Sequence, residues 1–358
     1  PMVLRSLSDR GLRGTPRSMA VCEFEQGPIR PPSEAGSLLV RVSRNCPWNR
    51  CAFCPVYKGA KFSLRPVEEV LADVAAMKAC WGDAPRTVFL QDANPLLTPP
   101  DDLVAILEGL REAFPKVARI TAYARSHTLA RRSADDLRRI RLAGLNRLHV
   151  GMESGCDEVL KLVSKGSSRE EQIRGGRQAK AAGFELSEYV MPGLGGTGLS
   201  EMHAEDTASA LREIEPDFVR LRTTVAIPGT PLEGLAESGE FQSLSEIDLV
   251  REIRRLLSGL RGLATRIESD HMLNLLMEIR GDLPRDLDRL IDICDRFLDL
   301  PEKDRRRFVL ARRMNLVTHL GDRRWRDLRG ELDGILDTME REGRSAEEVS
   351  RELRRRMV

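Results

Sequence analysis

From Ser37 onward the apolar positions switch repeatedly between two spacings. Short runs dense in aliphatic residues recur, and each gives way to a longer stretch in which apolar residues return every three or four positions. The short runs are Leu38 to Val42, Arg86 to Gln91, Arg119 to Tyr123, Leu145 to Gly151, Phe184 to Met191 and Phe218 to Val225. Between them the helical spacing predicts helices from Pro66 through Met77, with proline in the first turn, and from Asp101 to Phe114. Further helices open on the capping sequences Ser133-Ala134-Asp135-Asp136 and Ser168-Arg169-Glu170-Glu171 and stop at Gly144 and Gly183, and another runs from about Glu201 to Ile214. Strand then helix, repeated six times, predicts an α/β fold whose parallel sheet is crossed over by helices and curls into a partial (β/α)6, TIM-like barrel. In such sheets ligands bind at the carboxyl ends of the strands.

The two ends of the chain read differently. Residues 1–36 hold Gly, Pro and Arg with little periodicity and are expected to form an N-terminal arm lying over a barrel of residues 37–240. Beyond about Phe241 come charged amphipathic stretches, such as Ser243 to Leu260 and Arg285 to Leu298, and an Arg-rich tail, which predict a helical C-terminal region over 241–358.

Composition adds little to this and excludes some classes. The 358 residues are 41% hydrophobic and 31% charged with a net charge of +2, a balance that singles out no polyanionic or membrane partner. No apolar run approaches the roughly twenty residues that span a bilayer, and no leader-like segment opens the sequence, so a cytoplasmic protein is expected. Seven cysteines, an odd number with three clustered, favour a reducing compartment.

Those three stand in Asn45-Cys46-Pro47-Trp48-Asn49-Arg50-Cys51-Ala52-Phe53-Cys54-Pro55, directly after the first predicted strand. Three thiolates on one loop can ligate three irons of a 4Fe–4S cluster and leave the fourth iron open to a ligand that is not protein. Structural zinc is the weaker reading, because no fourth Cys or His lies nearby at zinc-finger spacing. Side chains alternate along strands, so in a helix-covered barrel the polar members of each strand should point inward. That parity places Arg220 and Arg222, His149 and Glu153, and Tyr123 and Arg125 on the inner face, with Val88, Leu90 and Asp92 on that of the second strand. Buried charges of this kind need partners or ligands.

The cysteine loop resembles that of the radical S-adenosylmethionine superfamily. Cys51, Phe53 and Cys54 match its Cys-x-aromatic-Cys half, whereas four residues separate Cys46 from Cys51 where the family usually has three. The stretches His149-Val150-Gly151-Met152-Glu153-Ser154-Gly155 and Leu162-Val163-Ser164-Lys165-Gly166 look like the fourth-strand motif of the subgroup containing oxygen-independent coproporphyrinogen oxidase and the methylthiotransferases. The resemblance implies that Glu153 binds the ribose or ammonium of S-adenosylmethionine and Lys165 its carboxylate. Asp92 stands where a Gly-Gly-Glu loop commonly accepts the methionine ammonium, though here without the glycines. Gly193 and Gly195, in Met191-Pro192-Gly193-Leu194-Gly195-Gly196, resemble the glycine run whose backbone approaches adenine and ribose. Arg125, at the end of the third strand, is counted with these cofactor-binding residues.

The resemblance further implies that Cys46, Cys51 and Cys54 carry a 4Fe–4S cluster. The reduced cluster splits S-adenosylmethionine to a 5′-deoxyadenosyl radical, which abstracts hydrogen from a substrate. Such chemistry draws its electron from a donor such as flavodoxin or ferredoxin. Arg220 and Arg222 suggest a small anionic substrate, the alternative being that they pair with Glu188 or Glu153 inside the barrel. Cys22, Cys80, Cys156 and Cys294 form no second Cys-x-x-Cys, so one cluster is expected, and no cobalamin-binding signature is present. Cys156 reads more simply as a small buried residue starting a helix than as a radical quencher. His271, beside Asp270, reads as a helix-start pair, or else as a cap on the barrel bottom or a proton donor. Two other functions stay open: modification of tRNA or another macromolecule through the helical tail, and a non-catalytic iron–sulfur sensor or scaffold.

Overall fold

The computed structural model describes residues 24–357, so Cys22 and most of the expected arm lie outside the described residues. Six strands stand where the short apolar runs placed them: β1 (Leu38–Arg41), β2 (Thr87–Gln91), β3 (Arg119–Ala124), β4 (Leu145–Glu153), β5 (Glu185–Val190) and β6 (Phe218–Leu221). They pair in sequence order and in parallel, each joined to the next through a covering helix: α1 (Val67–Trp81), α2 (Pro100–Ala113), α3 (Ala134–Ala143), α4 (Arg169–Ala181) and α5 (Gly196–Ile214). Ser133 and Ser168 cap α3 and α4 by accepting from the amides of Asp136 and Glu171, as the capping sequences foretold.

The sheet extends further than the six predicted strands. β7 (Arg266–Glu268) pairs parallel with β6, and β8 (Gly281–Asp282) pairs antiparallel with β7, so the C-terminal region completes the sheet as well as supplying helices. With β1 and β8 at its two edges the barrel stays open. The sixth strand also ends earlier than expected. After Leu221 the chain continues as irregular backbone, still tied to the β5 exit by Arg222 N to Val190 O (2.9 Å) and Thr224 N to Pro192 O (2.8 Å).

Parity along the strands settles which side chains reach the interior. Leu148, Val150, Met152, Val219 and Leu221 join the core beneath the helices. Phe89, Tyr123, His149 and Tyr189 instead form an aromatic wall inside the barrel, with neighbouring ring centroids 5.1 to 6.1 Å apart. The expectation for the second strand is therefore reversed: Val88 and Leu90 belong to the helix-side core and Phe89 faces inward. The error came from counting back from Asp92, which lies past the strand end with φ +68° and breaks the alternation.

The described part of the arm enters the barrel. Gly27 exchanges two hydrogen bonds with the Gln91 side chain near the carboxyl ends of the strands. A short helical turn, Pro32–Glu34, then inserts the buried Glu34 beside Ser37 (2.6 Å), His149 (3.4 Å) and Arg119 (3.5 Å) at the opposite end.

On the far side, α6 (Glu246–Gly259) packs on α5, with Gly259 allowing close approach to Ala208. It is followed by α7 (Leu287–Leu298), α8 (Glu302–Arg313), α9 (Arg329–Arg341) and α10 (Ala346–Arg355). Among the described residues no helix is long and apolar enough to cross a membrane.

Candidate active site

The cysteine loop leaves β1 at the carboxyl ends of the strands and is tied down at several points by its own backbone. Ala52 N donates to Val163 O (2.8 Å), and Ala52 O accepts from Leu232 N (3.0 Å). Lys58 Nζ reaches the carbonyls of Asn49 (3.2 Å) and Cys51 (3.0 Å), while Asn49, in the left-handed region at φ +49°, donates from its side chain to Tyr57 O. These bonds fix the loop without using the sulfurs. Cys46, Cys51 and Cys54 keep free, half-buried thiols, and Cys46 Sγ accepts from Asn49 N at 3.4 Å. Burial pushes the Cys51 and Cys54 thiols up, with Lys165 opposing. A cation shared by the sulfurs removes that penalty, so the donor set fits a thiolate-bound iron cluster.

Beside the loop, Glu153 and Lys165 form an ion pair of 2.9 Å. Glu153 follows a register shift at the end of β4 and has φ +65°, a strained conformation that swings its carboxylate over the strand end. Gly151 makes room for the pair: a Cβ there would lie 2.3 Å from Glu153 Oε1 and 3.1 Å from Lys165 Nζ. Burial alone would lower the Lys165 ammonium, but Glu153 and the Cys51 sulfur outweigh it and hold it above the usual range. Lys165 also lies 5.9 Å from the centroid of Phe53, between two of the cysteines. Arg125 approaches from β3 and donates to Lys165 O (3.1 Å) and Gly166 O. Thus Glu153, Lys165, Arg125 and the cysteine loop converge.

Other predicted residues do not join them. Asp92 is fully buried, with one oxygen bonded by Arg41 Nε (2.6 Å) and the other by the Tyr57 hydroxyl (3.0 Å), so it holds the loop ends together rather than presenting a free carboxylate. Gly193, at φ +85°, does permit a close approach, but by protein: its Cβ would meet Leu249 at 2.8 Å, and its amide donates to Glu252 Oε1 (2.6 Å), both on α6. Gly195 caps α5 and is crowded by Leu199. Cys156 is buried at the start of the short helix Asp157–Leu162, with its thiol pushed up to about 11 by burial.

Arg220 and Arg222 part company. Arg220 is buried and bonded to Asp270 (2.5 Å) and to Ser187 Oγ (3.2 Å), so its charge is spent within the protein. Arg222 is exposed and, among the described residues, its guanidinium has no hydrogen bond or ion pair, yet its charge is felt by Tyr123, Tyr189 and His271. Glu188 pairs with neither arginine. In register with Val150 and Val219 it faces the helices, both oxygens without a partner among the described residues, and burial pushes its carboxyl well above the usual range.

His271 belongs to this end of the barrel and not to the bottom. It lies in the loop after β7, which Asn274 ties to the β6 exit through Thr223 N (2.9 Å) and Leu221 O (2.7 Å). Burial and Arg222 together pull His271 down to about 4, so it is neutral near pH 7; its Nδ1 accepts from Leu273 N (3.3 Å), which leaves the proton on Nε2. Sequence reasoning missed Tyr189, Phe89 and the pairing partner of Arg220. Strand parity could have revealed Tyr189, which alternates with the core-facing Leu186 and Val190, whereas the Asp270 contact spans fifty positions and leaves no local signal.

Residues 40–211 match the model of the Radical SAM superfamily. Among curated proteins, the tRNA-2-methylthio-N(6)-dimethylallyladenosine synthase of Alkalilimnicola ehrlichii is 28% identical over 232 residues, 60% of this chain and 49% of that protein. Elongator complex protein 3 of Homo sapiens is 31% identical over 117 residues, 32% of this chain and 21% of that protein. The chain thus spans half or less of the length of these relatives. The solved structure of the cobalamin-dependent S-adenosylmethionine radical enzyme OxsB, with aqua-cobalamin and S-adenosylmethionine bound, is alike in fold, with a TM-score of 0.51 at 15% identity over 90% of this chain and 58% of that one. From the cysteine loop, the open parallel barrel and the family match together, residues 40–211 are a Radical SAM superfamily domain, the family whose cofactors are a 4Fe–4S cluster and S-adenosylmethionine.

Proposed function

We propose that the barrel of residues 37–240 cleaves S-adenosylmethionine reductively and turns the resulting 5′-deoxyadenosyl radical on a C–H bond of a small anionic substrate. The observation that carries this reading is the meeting of the Glu153–Lys165 pair with the cysteine loop, an anion and a cation within reach of three free thiols. The chemistry that a 4Fe–4S cluster supplies when held by Cys46, Cys51 and Cys54 is one electron to the sulfonium, delivered from a donor such as flavodoxin or ferredoxin. The protein's part is to bind and orient. Lys165 takes the methionine carboxylate, Glu153 the ribose hydroxyls or the ammonium, and the aromatic wall of Phe89, Tyr123 and Tyr189 keeps water from the reacting centre. Anaerobic reconstitution, reduction with dithionite and addition of S-adenosylmethionine should release 5′-deoxyadenosine; a stable cluster that releases none would favour the sensor reading.

The space that Gly151 leaves gives one quantitative expectation. Gly151→Ala forces the Glu153–Lys165 pair apart and should weaken S-adenosylmethionine binding by roughly tenfold to a hundredfold, the worth of one or two charge-assisted hydrogen bonds. Equilibrium dialysis on the reconstituted protein checks it, and an unchanged Kd would speak against the assigned roles.

For the substrate, the unpaired Arg222 and the neutral His271 together suit a carboxylate or phosphate, Arg222 through its charge and His271 by donation from Nε2. In a thermal-shift screen of small carboxylates and phosphates, compounds that stabilise the protein should bind Arg222→Ala roughly 10–100-fold more weakly. The same change should barely alter the ligand-free Tm, whereas Arg220→Ala, which strands the half-buried Asp270, should lower it. A macromolecular polyanion is less suited. The arginines of the C-terminal helices that carry ion pairs are matched to carboxylates, as in Arg254–Asp295, Arg306–Glu340 and Arg307–Asp333, so much of that surface charge is locally neutralised.

A further inference from the structure

The spacing between Cys46 and Cys51 contains Trp48, a large aromatic on a loop otherwise secured by its backbone. Its indole does not turn into the core. It crosses to the turn that carries Lys165 and donates from Nε1 to Ser164 O at 2.7 Å. The ring lies against Gly166 so closely that a Cβ there would come within 2.3 Å of it, and Gly166 has φ +70°, so glycine is required twice over. Ser164 is itself at φ +51°, a conformation its carbonyl bond to Trp48 helps to hold. Two guanidinium groups flank the ring: Arg125, 5.4 Å from its centroid, and Arg50, at 5.2 Å. Arg125 in turn donates to Lys165 O, so the indole, Arg125 and the Ser164–Gly166 turn form one unit.

We propose that Trp48 is a positioning residue that couples the first half of the cysteine loop to the Lys165 turn, so that the cluster ligands and the groups that bind S-adenosylmethionine are placed as a single body. This rests on the reading of Lys165 and Glu153 given above. Without the indole, the second half of the loop keeps its bonds to Val163 and Leu232, and Lys58 still holds Asn49 and Cys51. The thiols therefore remain available. What is lost is the tie from the first half of the loop to Ser164 and Gly166, which fixes the Lys165 turn beyond Val163, and the cost falls on binding more than on folding.

The test compares Trp48→Phe, Trp48→Ala and Gly166→Ala with Lys58→Ala, all reconstituted anaerobically. Iron and sulfide content and the Kd of S-adenosylmethionine are measured for each. Trp48→Phe keeps the ring and loses one hydrogen bond, so its Kd should rise severalfold. Trp48→Ala and Gly166→Ala break the contact from opposite sides and should each raise Kd by about tenfold or more at full cluster occupancy. Lys58→Ala loosens the same loop without touching the Lys165 turn and should change Kd by less than about threefold. Unchanged affinity in both Trp48→Ala and Gly166→Ala overturns the inference. So does an equal rise in Lys58→Ala, which would mean simple loop loosening, or loss of the cluster in both, which would make Trp48 a structural residue only. Wild-type protein that holds its cluster and fails to bind S-adenosylmethionine overturns the proposed function and this inference with it.

Discussion

Cys51→Ala is expected to lower the rate of S-adenosylmethionine cleavage by at least about a thousand-fold, because a cluster lacking one of three ligands is not retained in a redox-competent form. The fold should scarcely notice. The Cys51 sulfur makes no hydrogen bond among the described residues, and its loop is fixed through the Cys51 carbonyl and through Ala52, neither of which the substitution removes. Compared as cluster-free proteins, the variant and wild type should therefore have unfolding midpoints within about 3 °C of each other. The same split between activity and stability is expected for Cys46→Ala and Cys54→Ala. Retention of more than a tenth of the wild-type rate in any of the three would mean that the loop does not hold the reactive centre.

The second large effect lies far from the cysteines. Glu246, at the start of α6, is fully buried, hydrogen-bonded by Arg313 through two nitrogens (2.7 and 2.8 Å) and by Ser350 Oγ (2.7 Å), and ion-paired with Arg354 at 3.3 Å. One carboxylate thereby joins α6, α8 and α10. Burial pushes the Glu246 carboxyl up, but Arg313 and Arg354 outweigh it and bring it down to about 2. Glu246→Ala leaves the buried Arg313 without its partner and should cost about 3–5 kcal/mol, lowering Tm by roughly 4–7 °C in a chain of this size.

A consequence at the active site should follow. Arg313 and Arg312 hold the carbonyls of Met272, Leu273 and Asn274, so loosening them frees the loop that carries Asp270 and His271. The pH dependence has a definite sign. A carboxyl whose folded value is depressed contributes stability above its unfolded value, and that contribution is lost as pH falls from about 4.5 towards about 2. The depression corresponds to roughly 3 kcal/mol. Acid titration of Tm should be steeper in this window for wild type than for Glu246→Gln; parallel curves would contradict the assignment.

Much of the barrel was legible because strand and helix spacing differ so plainly between, for example, Leu145 to Gly151 and the stretch after Ser168. The cysteine loop and the Glu153–Lys165 pair were legible as residue types in order. Other features depended on contacts that no local pattern encodes. β7 is three residues long and carries one apolar side chain, Ile267, between Arg266 and Glu268, too little alternation to stand out from a charged helical region. Glu34 reaches His149 across 115 positions, and an arm without periodicity gave no hint that it enters the barrel. Gly193 was singled out for close approach to adenine and ribose, whereas in the structure α6 approaches it, and only packing decides that. The parity of β2 failed where positive φ at Asp92 ended the strand. The left-handed residues at Asn49, Asp92, Glu153 and Ser164 all lie at carboxyl ends of strands or in the loops that follow them, which is where local rules and global structure disagree.

The reduced cluster's electron paramagnetic resonance spectrum, recorded anaerobically with and without S-adenosylmethionine, tests the central claim most directly. An iron left open by Cys46, Cys51 and Cys54 should take S-adenosylmethionine as a ligand, and the signal should shift on its addition. A spectrum unmoved by saturating S-adenosylmethionine, or protein that holds zinc in place of iron, would contradict the account.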